Sequence, residues 1–363
     1  MSKKILLRTK NKNYNIIIGK YTLKKIKNFL NYNKKILYII IVDSNVYSYH
    51  KKYILNNTKK LNSKIIIFNT SEKNKSINGY KSLIQKIFKH SPDRKTKIII
   101  IGGGMLGDLG GFIASTILRG LDLILIPTTL LSQADSSIGG KNGINNQFGK
   151  NLIGTFYQPN LVIIDTNFLK SLNKKQIKSG YSEIFKHSLI KNKKYFLWLQ
   201  KNYKKVISLN NLYLLNALYE SIKIKSLIVS ADEKENLNSS NSRALLNFGH
   251  TIGHALEAMN NYKTNLTHGE AISIGMTYAA NLSVKLNYLT HDKKIIIEKH
   301  LKNVGLPTRI KISNQKKLFQ FIAQDKKNHE NKIKFILLKD IGNAFVAKNL
   351  KLNDIKKNLK LNK

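Results

Sequence analysis

No cysteine occurs in the 363 residues, so disulfides and thiolate metal ligands are excluded, and any metal site must be built from His, Asp and Glu. Only four prolines are present, which leaves little room for Pro-rich linkers. No apolar run approaches the roughly 20 residues that a bilayer crossing needs; one of the longest is Ile98–Ile101. The apolar stretch within Met1–Arg8 is far too short for a signal peptide. A cytoplasmic protein with no membrane partner is therefore expected. Arginine is also scarce: of 63 basic residues only five are Arg (Arg8, Arg94, Arg119, Arg243, Arg309), and Asp plus Glu number 20.

The resulting net charge of +43 invites a nucleic-acid or anionic-surface reading. A dedicated nucleic-acid binder, however, favours clustered Arg for bidentate phosphate and guanine contacts. Here the cations are scattered Lys amid abundant Asn and Ile, three residues that share AT-rich codons. Compositional drift accounts for the charge, and no nucleic-acid partner is expected.

What is present is ordinary globular material: 42% apolar residues and 21 glycines, in a length suited to about two domains. Ile16–Ile18, Ile36–Val42, Ile65–Phe68, Lys97–Ile101, Leu123–Ile126 and Leu161–Ile164 are short apolar runs separated by helix-length segments. Such runs predict parallel strands buried on both faces. Beyond Asn167 the pattern turns helical, over Ser179–Lys191, Leu212–Val229, Ser242–Met259, Gly269–Leu289 and Lys293–Val304, with one β-like run at Lys334–Leu338. The expected architecture is an α/β N-terminal Rossmann-like nucleotide-binding domain (residues 1–170) plus a mainly α-helical C-terminal metal-binding domain (171–363). Asn236–Asn241 reads as a polar surface loop.

Three segments carry chemistry. IGGGMLGDLGG, residues 101–111, follows a strand and opens a helix, where backbone amides and the helix N-terminus favour a pyrophosphate. Its spacing departs from the usual dinucleotide fingerprint, and a tight structural turn is the alternative. The second segment is NFGHTIGHALE, residues 247–257. His250 and His254 stand at i and i+4, as metal-binding pairs do, and His268 follows in THGEA. A lone histidine is more often structural, but three of nine within 19 residues of a Cys-free chain favour a metal or catalytic site. Glu183, an acid on an otherwise apolar helix, is a candidate ligand, although it could equally face solvent. The third segment, SQADSSIGGKNG (132–143) followed by Lys150 and Asn151, suits a loop holding an oxygen-rich anion; a plain solvated loop is the bland alternative.

Together GGGMLGDLGGF, Arg119-Gly120, IPTTLLSQADSSIGGKNGIN, KNLIGTFYQP, SEIFK, RALLNFGHTIGHALE, HGEAISIGM and the late DKKN with its Ile-Gly turn resemble the 3-dehydroquinate synthase family, in family order over nearly the whole chain. The resemblance implies a nucleotide-binding domain, a helical domain and a cleft between them. It also implies bound NAD, a divalent metal (zinc or cobalt), a sugar acid phosphate substrate and a homodimer. Carried over by motif, the metal ligands are Glu183, His250 and His268, with His254 moved to the substrate side as a proton shuttle. NAD contacts are Glu72, Lys75, Gly104, Met105, Leu106, Gly107, Asp108, Thr128, Thr129, Lys141, Lys150, Phe168, Leu169, Lys170 and Ser171. Substrate and catalytic residues are Arg119, Asp135, Lys141, Asn151, Lys186, Lys225, Arg243, Asn247, His254 and one of Lys326 or Lys327.

Two departures stand out. Where relatives carry D-G-E-x-x-K, this chain has TSEKNK (70–75), so Glu72 and Lys75 remain without the Asp-Gly turn. The stretch before Arg243 is also longer than usual. The activity implied is a phosphate lyase that closes a carbocycle from 3-deoxy-D-arabino-heptulosonate 7-phosphate: C5 is oxidised, phosphate is eliminated, C5 is reduced, and an internal aldol step gives 3-dehydroquinate. A 2-deoxy-scyllo-inosose synthase would share the metal and NAD motifs but has no substrate carboxylate to bind, and Arg243 and Lys225 weigh against it. A glycerol or alcohol dehydrogenase of similar architecture is disfavoured by DSSIGGKNGIN and RALLNFGH.

Overall fold

A computed structural model describes residues 2–30, 32–237, 242–259, 266–312, 314–325, 332–351 and 355–356. The chain divides into two compact units, one of Met1–Asn173 with Leu214–Ser226, the other of Lys174–Tyr213 with Leu227–Lys363.

The first unit is built on a seven-stranded sheet. Its strands are β1 (Lys3–Arg8), β2 (Asn13–Gly19), β3 (Tyr38–Asp43), β4 (Ser63–Phe68), β5 (Lys97–Gly102), β6 (Asp122–Pro127) and β9 (Leu161–Asp165), in the order β1-β2-β9-β6-β5-β3-β4. All pairings are parallel except β1 with β2. Every expected strand of this half is present. β1 escaped sequence reading because KKILLR is a Lys-flanked edge strand with only Leu7 buried. Helices α1 (Ile26–Phe29), α2 (Ser44–Thr58), α3 (Ile77–Phe88) and α4 (Gly104–Thr116) connect the strands.

The isoleucine runs are buried on both faces, as the continuous pattern requires. Ile40, Val42, Ile99, Ile101, Ile124, Ile126 and Ile163 join one core cluster with Phe168. Ile98 and Ile100 point to the other face and are equally covered. Each such side chain contributes roughly 1.5–3 kcal/mol by leaving water. The chain leaves β3 in one direction to make β4 and then crosses back to lay β5 on β3's other side. The C-terminal ends of β3 and β5 are therefore a switch point, where open parallel sheets bind ligands.

A two-stranded hairpin, β7 (Lys141–Asn146) with β8 (Gly149–Phe156), stands outside the main sheet. Sequence reading took this stretch for a loop, because polar and glycine residues hide strand periodicity. Its turn is closed by the Asn146 carboxamide oxygen, which accepts from the amides of Phe148 and Gly149.

The second unit is mainly helical: α5 (Lys174–Lys191), α6 (Lys193–Ile207), α8 (His250–Met259), α9 (His268–Lys285), α10 (His291–Val304) and α11 (Gln315–Asp325), plus the hairpin β10 (Lys332–Asp340) with β11 (Asn343–Lys351). The 21-residue helix α7 (Asn211–Ala231) is shared, its middle belonging to the first unit. The continuous helix expected over Ser242–Met259 does not form. Ser242 caps a short 3-10 turn, Arg243–Asn247, and Gly249 then takes φ 81° before α8 begins. A side chain at Gly249 would be strained there and would place Cβ 2.8 Å from the Met276 amide nitrogen on α9. The break makes His250 the first residue of α8 rather than a mid-helix position.

His300 of α10 is buried among Tyr181, Phe185, Phe196 and Tyr203, with its Nε2 2.9 Å from the Tyr181 hydroxyl. Burial pushes its pKa down to about 4, against about 6.5 in an unfolded chain. Between those values the unfolded chain binds a proton that the folded one does not. The stability present above pH 6.5 is therefore lost as the pH falls toward 4. His300→Gln should flatten the stability profile in this window by up to about 1.4 kcal/mol per pH unit, read from urea unfolding at several pH values. Parallel wild-type and variant profiles would refute this.

Candidate metal and nucleotide sites

Glu183 projects from α5, which is buried on all sides from Ser179 to Ile190; the solvent-facing alternative for this acid is thus removed. His250 and His268 are each the first residue of their helices. His268 is placed there by a capping box, in which the Thr267 side chain accepts from the Glu270 amide and the Glu270 carboxylate accepts from the Thr267 amide. One ligand atom from each of Glu183, His250 and His268 lies within 4.8 Å of the others. The Glu183 Oε1 is 3.8 Å from His250 Nε2 and 3.6 Å from His268 Nε2. Bonds of about 2.0–2.2 Å to a tetrahedral ion separate ligand atoms by only slightly less.

The far side of each ring supports the same reading. His250 Nδ1 is 3.3 Å from the Phe248 carbonyl oxygen, and His268 Nδ1 is 3.3 Å from the Glu257 carboxylate. Neither partner can donate, so each Nδ1 carries a hydrogen, and Nε2 is the ring atom that faces Glu183. Outer partners of this kind orient metal-binding histidines. Burial drives the His250 pKa well below its ordinary value, helped by the Lys186 ammonium. Burial also opposes a charge on His268, but its hydrogen bonds to Glu183 and Glu257 outweigh that and raise it to about 10. His250 is thus kept neutral, as a metal ligand must be, while the charge on His268 is held by the carboxylates of Glu183 and Glu257. Two nitrogens and one carboxylate oxygen, with no sulfur, suit zinc or cobalt with positions left for substrate oxygens.

The pairing of His250 with His254 that spacing alone suggests is replaced by this trio. The His254 ring stands beside it, with centroids 5.1 Å from His250 and 6.4 Å from His268. Lys186, 1% exposed, pairs with Glu183. Arg243, 3% exposed, donates from Nη1 to the Glu233 carbonyl at 2.5 Å. Asn247 Nδ2 donates to Glu235 Oε1 at 2.6 Å. Sequence reading missed Glu235 and Glu257. Glu235 directly precedes the stretch, Asn236–Asn241, that reads as a polar surface loop. Glu257 had a usable signal, since 250, 254 and 257 form an i, i+4, i+7 stripe on one helix face.

In the first unit, β5 runs into Gly103 and Gly104, and α4 begins there. Gly103, Gly104 and Gly107 line a small cavity with Pro127, Ser132 and Ser136. A Cβ on Gly104 would come 2.7 Å from the Ser136 hydroxyl, whereas one on Gly107 would meet nothing within 4 Å. This is an open cradle at a helix N-terminus, suited to a pyrophosphate. Leu106 is buried within α4, Met105 and Asp108 are partly covered, and Thr128 and Thr129 follow the end of β6. Phe168 and Leu169 are fully buried, so their side chains serve the core; backbone atoms, Lys170 and Ser171 are what this turn can offer a ligand.

The altered TSEKNK stretch keeps its turn by other means. The Ser71 hydroxyl accepts from the Asn74 amide at 3.2 Å, and the Ser71 carbonyl accepts from the Lys75 amide at 2.9 Å. Glu72 pairs with Lys150 at 2.8 Å. Among the residues of this unit expected on the substrate side, Lys225 Nζ donates to both Oδ1 and the carbonyl of Asp135, each at 2.6 Å. Lys141 opens β7 and is exposed; Arg119 is exposed with φ 67°, and Asn151 has φ 56°. Left-handed non-glycine residues cluster at functional sites. Lys326, Lys327 and most of Asn236–Asn241 lie outside the described residues.

Comparison with known proteins comes down on one family. The 3-dehydroquinate synthase N-terminal family model matches residues 65–179, and the corresponding C-terminal model matches 180–328. A 3-dehydroquinate synthase of Pelagibacter ubique is 45% identical over 346 residues, covering 93% of each chain. One of Bartonella quintana is 44% identical over 319 residues, covering 86% of this chain and 83% of its own. Among solved structures, a 2-deoxy-scyllo-inosose synthase complexed with carbaglucose-6-phosphate, NAD+ and Co2+ superposes with TM-score 0.84 at 26% identity, covering 98% of this chain and all of that one. A 2-epi-5-epi-valiolone synthase from Streptomyces hygroscopicus shares the fold, with TM-score 0.88 at 22% identity over 97% of each chain. No helix among the described residues is long and apolar enough to cross a membrane.

Proposed function

The chain belongs to the 3-dehydroquinate synthase family, and from that premise we propose that it converts 3-deoxy-D-arabino-heptulosonate 7-phosphate to 3-dehydroquinate and phosphate, an early step toward aromatic amino acids. The observation that carries this reading is the company kept by the metal trio. Lys186 and Arg243 are both almost wholly buried in the unit that holds Glu183, His250 and His268. Lys186 is paired with Glu183 and Arg243 with the Glu233 carbonyl, so both cations are held in fixed positions that suit a substrate bringing anionic groups of its own; an alcohol dehydrogenase acting on a neutral substrate has no use for them. A substrate carrying both a carboxylate and a phosphate does.

When bound, NAD supplies a reversible hydride acceptor and the zinc or cobalt ion lowers the pKa of the hydroxyl to be oxidised. The chain's residues do the rest. The Gly103–Gly107 cradle, Thr128, Thr129 and Lys150 would hold the dinucleotide. Lys141, Lys186, Arg119 and Arg243 would present fixed positive charge to carboxylate and phosphate. Asn151 and Asn247 would bind hydroxyls, and Lys225, held by Asp135, would offer a further fixed cation. His254, beside the ligand histidines, would hold or return the proton that moves as phosphate leaves. On this reading the protein acts in the cytoplasm as a homodimer, and its +43 charge serves neither nucleic acid nor membrane.

Purified protein incubated with the heptulosonate phosphate, NAD and zinc or cobalt tests this. Phosphate and 3-dehydroquinate should appear in equal amounts. Phosphate release from glucose 6-phosphate but not from the heptulosonate would move the chain to the inosose synthases.

A further inference from the structure

Lys75 is 5% exposed, and its ammonium has two polar contacts that belong to different functions. Nζ donates to Asp108 Oδ2 at 2.5 Å and to Asn151 Oδ1 at 2.6 Å. Asp108 lies on α4, whose N-terminus forms the nucleotide cradle. Asn151 lies on β8, in the hairpin that carries the substrate-side residues. The segment bearing Lys75 is fastened to that hairpin at further points. The Lys75 carbonyl accepts from the Asn145 amide at 2.8 Å. Glu72 accepts from Asn145 Nδ2 at 2.8 Å and pairs with Lys150 at 2.8 Å.

We propose that Lys75 is a positioning residue that couples occupancy of the nucleotide cradle to the substrate-binding competence of Asn151. The proposal rests on the functional reading above and adds a device within it. A carboxamide offers one acceptor end and one donor end. By donating to the Asn151 oxygen, Lys75 fixes which end faces it, so the NH2 is left to donate to a substrate oxygen. The same contact braces a left-handed backbone, φ 56°, a conformation that Asn adopts more readily than most residues but that remains uncommon outside glycine. A buried ammonium holds this geometry only while Asp108 stays ionised and in place. A dinucleotide that orders the start of α4 orders Asp108 with it, and so Lys75 and Asn151. The second ligand then meets groups already ordered and binds more tightly.

The test is a calorimetric cycle with NAD and a carbocyclic phosphonate analogue of the substrate that cannot eliminate phosphate. Each is titrated in the absence and presence of the other, in wild type and in Lys75→Met. Wild type should show mutual tightening on the order of 5–150-fold. In Lys75→Met that ratio should fall to within about twofold of unity, beyond any change in the individual affinities. If Lys75 merely supports the fold, or merely touches NAD, affinities or melting temperature drop but the ratio persists, and the proposal fails. Should Lys75→Met not fold, Lys75→Gln carries the test, because a shorter, uncharged side chain cannot hold the Asp108 carboxylate and the Asn151 oxygen together; a retained ratio there also overturns the coupling. Wild type that binds both ligands independently refutes the coupling alone. Wild type that binds neither refutes the functional reading beneath it.

Discussion

His250→Ala should yield a folded protein that holds almost no zinc or cobalt and has lost at least about a thousandfold of its phosphate-releasing activity, given that a catalytic ion contributes several kcal/mol to the transition state. The expectation rests on geometry. His250 Nε2 faces Glu183 from one side and His268 Nε2 from another, so removing it leaves two donors where stable binding takes three. Folding should survive because Glu183 keeps its ion pair with Lys186. The converse variant, Glu183→Ala, would strand the Lys186 ammonium at 1% exposure, a change that costs several kcal/mol and confuses lost metal with lost fold. A graded companion is Glu257→Gln. It weakens the hydrogen bond that orients His268 without removing a ligand, and outer partners of this kind are worth about 10–100-fold in metal affinity. Its activity should return at high metal concentration, whereas that of His250→Ala should not. Elemental analysis after dialysis and a metal titration of activity read both outcomes. Full activity in metal-free His250→Ala would remove the ion from the chemistry.

The features legible in the sequence were those with a short-range physical signature. Four consecutive isoleucines before three glycines are sufficient to indicate a buried strand feeding an anion-binding turn, and β5 with α4 is that unit. Three histidines in a Cys-free chain are sufficient to suggest a metal. Which of them share it was not legible from spacing. His250 and His254 satisfy the helical i, i+4 pattern and do share α8, but Glu183 and His268, which complete the trio with His250, arrive from elements 67 and 18 positions away, counted from His250. Only the family resemblance carried that set. The β7–β8 hairpin was missed for a related reason. Its stability comes from Glu72, Lys75 and a side-chain-closed turn, not from an apolar face, so no period-2 pattern announces it. Glu235 went unnoticed because a charged residue in a polar stretch looks solvated until Asn247 is placed beside it.

With NAD at a small fraction of the substrate concentration, the enzyme should release phosphate over many turnovers without a lasting rise in NADH absorbance. A dinucleotide cradle and a metal trio alone would equally suit a dehydrogenase, which uses one NAD for each product molecule. The difference lies in the cations that, on the proposed reading, hold the substrate. A dehydrogenase must let its ketone go. An elimination that follows oxidation must instead keep the ketone bound while phosphate departs and hydride returns. That demands groups which grip the substrate at both anionic ends throughout. Lys186 and Arg243 are buried and tied to Glu183 and to the Glu233 carbonyl, so neither is free to swing out with a product. Lys225 is likewise fastened to Asp135 through two contacts. Fixed charges of this kind require little reorganisation as the phosphate accumulates charge on leaving. Loss of Arg243 should therefore lower turnover and loosen the intermediate together. In Arg243→Met, phosphate release should fall by on the order of 10²–10³, the range for deleting one fixed transition-state partner. The fraction of turnovers that strand NADH should rise, because an intermediate that escapes cannot take its hydride back. Wild type that accumulates NADH in step with an oxidised product would instead be a dehydrogenase, and the buried cations would need another explanation.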